Sequence, residues 1–167
     1  MERTGVITFK GNGMTLVGHP VKVGDKAPDF TVLDQGLAPR SLKDFAGKIK
    51  VISVTPSLDT GVCDAQLRRF NAAAAGLGDQ VALINVSMDL PFAIGRFCST
   101  AGIDKAVTVS DHRDASFGTA YGVLIKELRL LTRAVFVIDA QDVVRHVEVV
   151  PEVTTHPDYD KAIAAVK

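Results

Sequence analysis

The sequence predicts an α/β protein: a mixed central sheet flanked by helices, with an extra N-terminal β-hairpin. Three observations predict it. Apolar, β-branched runs at 50–54 and 81–86 alternate with stretches of helical periodicity at 62–77 and from Pro91 onward. Two further apolar runs, 134–138 and 143–149, sit on either side of the turn-forming Asp139-Ala140-Gln141-Asp142. The first 17 residues read as two short strands around a Gly-rich turn.

The elements follow in order. Val6-Ile7-Thr8-Phe9-Lys10 and Met14-Thr15-Leu16-Val17 form the hairpin, with Gly11-Asn12-Gly13 supplying the positive φ angles of its turn. Residues 18–28 are a Gly/Pro-punctuated connection, 30–33 a short strand, and 41–45 a capped turn ending at Gly47. Lys50–Val54 is a buried strand. The helix from Val62 to Leu77 repeats Leu67, Phe70, Ala74 and Leu77 on one face and turns Arg68, Arg69 and Asn71 away from it.

Val81–Val86 is the next buried strand. Pro91 then opens a helix carrying Phe92, Ile94, Phe97 and Cys98 that stops by Gly102. A strand at 107–109, a short helix at 115–121, the strand pair and a last helix from Asp158 to Val166 complete the chain. Parallel βαβ units followed by an antiparallel pair and a helix make a thioredoxin-like plan, with residues 1–167 as one domain and 1–17 as its added hairpin.

Composition narrows the function. The 167 residues carry 19 basic and 19 acidic side chains, and 47% are hydrophobic. A neutral balance without a basic cluster argues against nucleic-acid binding, and no apolar run reaches the ~18–20 residues that span a bilayer. The N-terminus lacks a signal-type apolar region, so a cytoplasmic protein is expected. Two cysteines outside a CxxC spacing, and four scattered histidines (His19, His112, His146, His156), give no metal-ligand pattern; no cofactor or metal is expected, and His146 reads as an exposed strand residue.

The chemistry concentrates in Thr55-Pro56-Ser57-Leu58-Asp59-Thr60-Gly61-Val62-Cys63, between a buried strand and a helix start. Free N–H groups and the positive end of the helix dipole favour a thiolate at that position. Thr60, three residues before Cys63, lies on the same side of the turn as the sulfur, and Pro56 walls the site without offering an N–H. Taken singly, Thr60 reads as an N-cap and Cys63 as a small buried hydrophobe. Together, Pro-x-x-x-Thr-x-x-Cys at a strand–helix junction is far more specific.

Pro56-x-x-x-Thr60-x-x-Cys63 resembles the active-site motif of the peroxiredoxins. The full run from Pro56 to Cys63 is similar to that of the bacterial thiol peroxidases, a subgroup of atypical two-cysteine peroxiredoxins. Asp89-Leu90-Pro91-Phe92-Ala93 leading to Arg96-Phe97-Cys98, the run Arg133–Asp139, Pro157-Asp158-Tyr159 and the N-terminal hairpin extend the resemblance along essentially the whole chain.

The resemblance implies a peroxidatic Cys63 whose thiolate attacks a hydroperoxide. Thr60 would hydrogen-bond thiolate and peroxide, Arg133 would supply a fixed cation, and Pro56 would shield the site. Cys98 would be the resolving cysteine, closing an intramolecular disulfide that thioredoxin reduces; a homodimer and a preference for alkyl hydroperoxides are also implied. Left to residue reading alone, Arg133 is equally a surface charge and Cys98 a core cysteine beside Ile94 and Phe97.

Gly95, inside the Cys98 helix, is expected to help that segment unravel. Asp64 follows Cys63 directly, and its influence on the thiol has no sign at this level. The stretch 123–132 reads as core, pocket edge or dimer surface. Two rival functions are a thiol–disulfide oxidoreductase, disfavoured because Cys63 has no partner three residues away, and a redox sensor, which needs neither Thr60 nor Arg133.

Overall fold

The computed structural model describes residues Met1–Lys167. Its elements are β1 (Glu2–Phe9), β2 (Asn12–Val17), β3 (Thr31–Leu33), β4 (Pro39–Ser41), a 3-10 turn at Leu42–Phe45, β5 (Ile49–Val54), α1 (Gly61–Ala74), β6 (Val81–Ser87), α2 (Pro91–Ala101), β7 (Ala106–Ser110), α3 (Ser116–Ala120), β8 (Leu124–Ile125), β9 (Leu130–Leu131), β10 (Ala134–Ile138), β11 (Val144–Val149) and α4 (Tyr159–Ala164). The predicted architecture is present: a mixed seven-stranded sheet in the order β11-β10-β5-β6-β7-β3-β4, with helices on it and an N-terminal hairpin. A smaller sheet, β1-β2-β8-β9, joins that hairpin to the 123–132 stretch, making the latter core on one side.

Strands β5, β6 and β7 are parallel, linked by α1 and α2, and both faces are covered. That is why these strands read as unbroken apolar runs rather than alternating ones. The side chains still alternate between faces. Ile52, Ile84 and Phe136 point into the larger cluster with Phe117 and Tyr121, whereas Val51, Leu83 and Val135 pack beneath Phe70 and Ala162. Phe117 and Tyr121 stack at 4.3 Å, and the Tyr121 hydroxyl donates to Pro28 O at 2.8 Å, so this buried ring keeps its polar end satisfied.

Several boundaries differ from the sequence expectation. The hairpin turn is Lys10-Gly11, with φ of 51° and 80°, because Phe9 pairs with Asn12; Asn12 and Gly13 are strand residues. The helix predicted to Leu77 ends at Ala74, ahead of Gly76 and Gly78. Ala115 precedes α3 in the left-handed region, and α4 is shorter than predicted, capped by Asp158 accepting from Lys161 N at 3.1 Å. His146 is half-buried opposite Val137 rather than exposed, and its Nε2 has no partner. Gly18 is required where it stands: at φ 103° an added Cβ would lie 2.2 Å from Thr119 O.

Strand pairing decides what meets at the site. Val54, the last residue of β5, lies beside Val86 of parallel β6 and opposite Ala134 of antiparallel β10. The chain therefore leaves β5 into the Thr55–Thr60 loop at the edge where β6 leaves toward Asp89 and where Arg133 enters β10. Ala134 also pairs with Val149, so the segment after β11 emerges there too. Thr8 N donates to Pro151 O at 2.7 Å and Val153 N to Thr8 O at 2.9 Å, fastening the hairpin to the same edge. No helix is long and apolar enough to cross a membrane.

Candidate active site

Cys63 is the third residue of α1 and is fully buried. The first-turn N–H groups around it have no intrahelical acceptor, so the helix end presents positive potential to the sulfur. Arg133 completes the charge pattern: its Nη2 donates to Cys63 Sγ at 3.2 Å. The guanidinium is held on two further sides, by Nη1 donating to Gln66 Oε1 at 2.9 Å and Nε to Val153 O at 2.7 Å. Gln66, also fully buried, is fixed in turn, its Nε2 donating to Ser53 Oγ at 2.8 Å and Val54 O at 3.3 Å. A cation only 2% exposed and bonded through three of its nitrogens is not the surface charge that Arg133 resembles when read alone.

A cavity of about 330 Å³ opens over this constellation. Pro56, Thr60 and Arg133 line it, with apolar walls from Phe9, Leu130 and Val153 and a cation from Lys10 at its margin. The hairpin and the 123–132 stretch thus contribute to the pocket edge. Cys63 lies beneath the lining, and Arg133 both faces the cavity and touches the sulfur.

The Thr60 geometry corrects one expectation. Its hydroxyl donates to Ser57 O at 2.9 Å, so the proton expected at the sulfur is engaged within the loop, leaving the oxygen an acceptor at the cavity wall. Thr60 is the N-cap residue of α1, yet its side chain caps no N–H. The Asp64 carboxylate is ion-paired with Arg68, one turn along α1.

Cys98 stands apart from this polar site. It packs in α2 with Leu58, Leu67 and Ile94, and its sulfur lies 3.3 Å from Thr108 Oγ1. Burial pushes its thiol up from the ordinary value, and the Thr108 bond partly opposes that. Both cysteines are free thiols. Pro56, Thr60 and Arg133 thus line one cavity with Arg133 bonded to Cys63, while Cys98 is in a core-cysteine setting. No group of three or more His, Cys, Asp or Glu side chains is arranged to hold a metal ion.

A buried thiol under a fixed guanidinium, at a helix start on a thioredoxin-like sheet, defines the redoxin class, and the Redoxin family model matches residues 22–163. The chain is 65% identical to a thiol peroxidase of Halalkalibacterium halodurans and 61% identical to one of Bacillus subtilis, in each case over 96% of both chains. Among solved structures, a peroxiredoxin-like protein from Aquifex aeolicus superposes with a TM-score of 0.90 at 41% identity, covering 98% of this chain and 95% of that one. Within the redoxins, the chain belongs to the thiol peroxidase family.

Sequence reading missed Gln66, Val153 and the hairpin's contribution. Gln66 carried a usable signal: it lies on the buried face of α1 with Cys63, Leu67 and Phe70, where an amide needs a partner. Val153 acts through its carbonyl and carries none.

Proposed function

We propose that the protein reduces hydrogen peroxide and organic hydroperoxides with Cys63 as nucleophile. The observation that carries this is the 3.2 Å bond from Arg133 Nη2 to the buried Cys63 sulfur, on a guanidinium fixed by Gln66 and Val153 under an open cavity. The thiolate attacks the terminal oxygen, the S–O bond forms as the O–O bond breaks, and the alkoxide or hydroxide leaves and takes up a proton. Arg133 keeps its charge throughout and stabilises thiolate and leaving oxygen alike. Thr60 Oγ1, its own proton on Ser57 O, accepts the peroxide O–H and orients it. Pro56 excludes water from one wall.

The Cys63 sulfenic acid is then resolved by Cys98 as an intramolecular disulfide, and thioredoxin is the dithiol that reduces it. The apolar walls from Phe9, Leu130 and Val153 support a preference for alkyl over hydrogen peroxide. The working form is a cytoplasmic homodimer of single-domain protomers, acting without metal or cofactor.

The test is rapid-mixing oxidation of the reduced protein by hydrogen peroxide and cumene hydroperoxide, quenched by thiol alkylation and read by mass spectrometry. Oxidation far faster than a free thiol, abolished by Cys63→Ser and stopped at sulfenic acid by Cys98→Ser, is expected. Oxidation at the rate of an ordinary thiol would move the assignment to a redox sensor.

A further inference from the structure

Asp89 receives more hydrogen bonds from the surroundings of the two cysteines than a turn residue needs. Its Oδ1 accepts from Ser57 Oγ at 2.7 Å, and its Oδ2 from Leu58 N at 2.8 Å and Ser87 Oγ at 2.9 Å. Ser57 and Leu58 belong to the loop that delivers Thr60 and Cys63. Ser87 ends β6, and Asp89 itself stands just before α2, the helix of Cys98. No lysine or arginine pairs with this carboxylate, so hydrogen-bond donors alone balance its charge; such charge-assisted bonds are stronger than neutral ones.

Both ends of the clasp matter to chemistry. Ser57 is the residue whose carbonyl accepts from Thr60 N at 3.2 Å and from Thr60 Oγ1, so fixing Ser57 fixes Thr60. Leu58 is 4% exposed and packs against Ile94 and Cys98. As long as Leu58 N is tied to Asp89, Leu58 stays packed over the buried second sulfur.

We propose that Asp89 is a positioning residue, a clasp that holds the Cys63 loop in its peroxide-reactive form and resists the opening that disulfide formation requires. This rests on the peroxidase reading above. In the resolving step the Cys98 thiol gives up its proton and its sulfur attacks the sulfenyl sulfur of Cys63. The S–S bond forms, the S–O bond breaks, and the departing hydroxide takes a proton and leaves as water; no outside oxidant is needed. Cys98 must leave the Leu58 cluster to do this. Loosening the clasp therefore acts in opposite directions on the two steps: slower attack on peroxide, faster disulfide closure.

The experiment measures both rates in one rapid-quench series on the full chain, for wild type, Asp89→Ala, Asp89→Asn and Ser57→Ala. For Asp89→Ala, peroxide oxidation of Cys63 is expected to fall on the order of tenfold and disulfide closure to rise about threefold, from losing bonds to a charged acceptor. Asp89→Asn keeps an acceptor for Leu58 N and can donate to the Ser57 hydroxyl, so it recovers part of both changes. Ser57→Ala loses the hydroxyl's bond to Asp89 and the one it accepts from Asp59 N at 3.2 Å, but leaves Leu58 N tied to Asp89, and moves both rates in the same senses by less.

A merely structural role would lower thermal stability and slow both steps together. That result, or two unchanged rates, overturns the clasp. If Asp89→Ala does not fold, Asp89→Asn and Ser57→Ala decide the matter by the same opposed shifts. Wild-type Cys63 that reacts no faster than an ordinary thiol would overturn the peroxidase reading, and the clasp with it; fast wild type with unshifted variants overturns the clasp alone.

Discussion

The two cysteines occupy opposite kinds of environment in one small domain. Beside Cys63 the polar partners are tied in turn: Arg133 is bonded to Gln66 and Val153, and Gln66 to the end of β5. Around Cys98 the surroundings are Leu58, Leu67 and Ile94, and Thr108 supplies the one hydrogen-bonding contact to its sulfur. The first environment sets a fixed positive charge against the sulfur and allows little reorganisation when charge develops. The second favours a neutral thiol and holds it mainly by packing. On the proposed mechanism one sulfur reacts in place and the other has to be released.

The contrast breaks most completely at Arg133. Arg133→Ala is expected to lower the rate of Cys63 oxidation by roughly 10²–10³-fold, the range for losing a preorganised donor to a developing charge. Arg133→Lys restores the charge but not the fork that spans the sulfur, Gln66 and Val153, so most of the loss remains. Competition kinetics against a peroxide of known reactivity would check both; near-wild-type activity in the lysine variant would show that charge alone suffices.

Gln66 tests the rigidity of the same site with a smaller effect. Gln66→Ala leaves a guanidinium N–H and the Ser53 hydroxyl without their buried partner, a loss of about 1–3 kcal/mol in stability. The expected fall in peroxide oxidation is about tenfold, with Cys98 alkylation in the reduced protein unchanged. If Cys63 kept its full rate, Arg133 would need no second anchor.

How far these two environments are legible in the sequence follows from range. Thr60 and Cys63 share one turn, so their relation is written in their spacing, and the buried strands β5, β6 and β10 announce themselves as apolar runs. Arg133 and Gln66 lie 67 residues apart and meet only through the pairing of β10 with β5. Val153 contributes a carbonyl, which every residue possesses. The two- and three-residue strands β4, β8 and β9 are too short to show a period. Lys10 sits at positive φ because a two-residue turn joins β1 to β2, a demand of register that outweighs the preference for Asn or Gly.

At the Cys98 end, Gly95→Ala sharpens the comparison. An added Cβ would meet Gln35 Oε1 at 3.5 Å, an ordinary contact, so alanine fits the folded helix. The substitution stabilises α2 by about 1 kcal/mol, close to fivefold in its opening equilibrium. Disulfide closure is expected to slow by about that factor while peroxide oxidation of Cys63 holds its rate. Closure at the wild-type rate would mean that α2 need not unwind through Gly95.

The smallest effect concerns pH, and its sign follows from burial. Because burial raises the Cys98 thiol above its ordinary value, the closed form binds more protons than an opened α2 as pH rises through the ordinary thiol range. The closed form therefore loses stability with rising pH in that window, and the loss stops once the buried thiol itself ionises. In a Cys63→Ser background, alkylation of Cys98 should keep accelerating past the pH at which an exposed thiol levels off. Thr108→Val removes the bond that opposes the upward shift, so the plateau moves to still higher pH, with a change of about threefold in rate at fixed alkaline pH. A plateau at the ordinary thiol value in both proteins would mean that Cys98 is already open in the reduced enzyme. The division between a reacting and a waiting sulfur would then have to lie elsewhere than in packing.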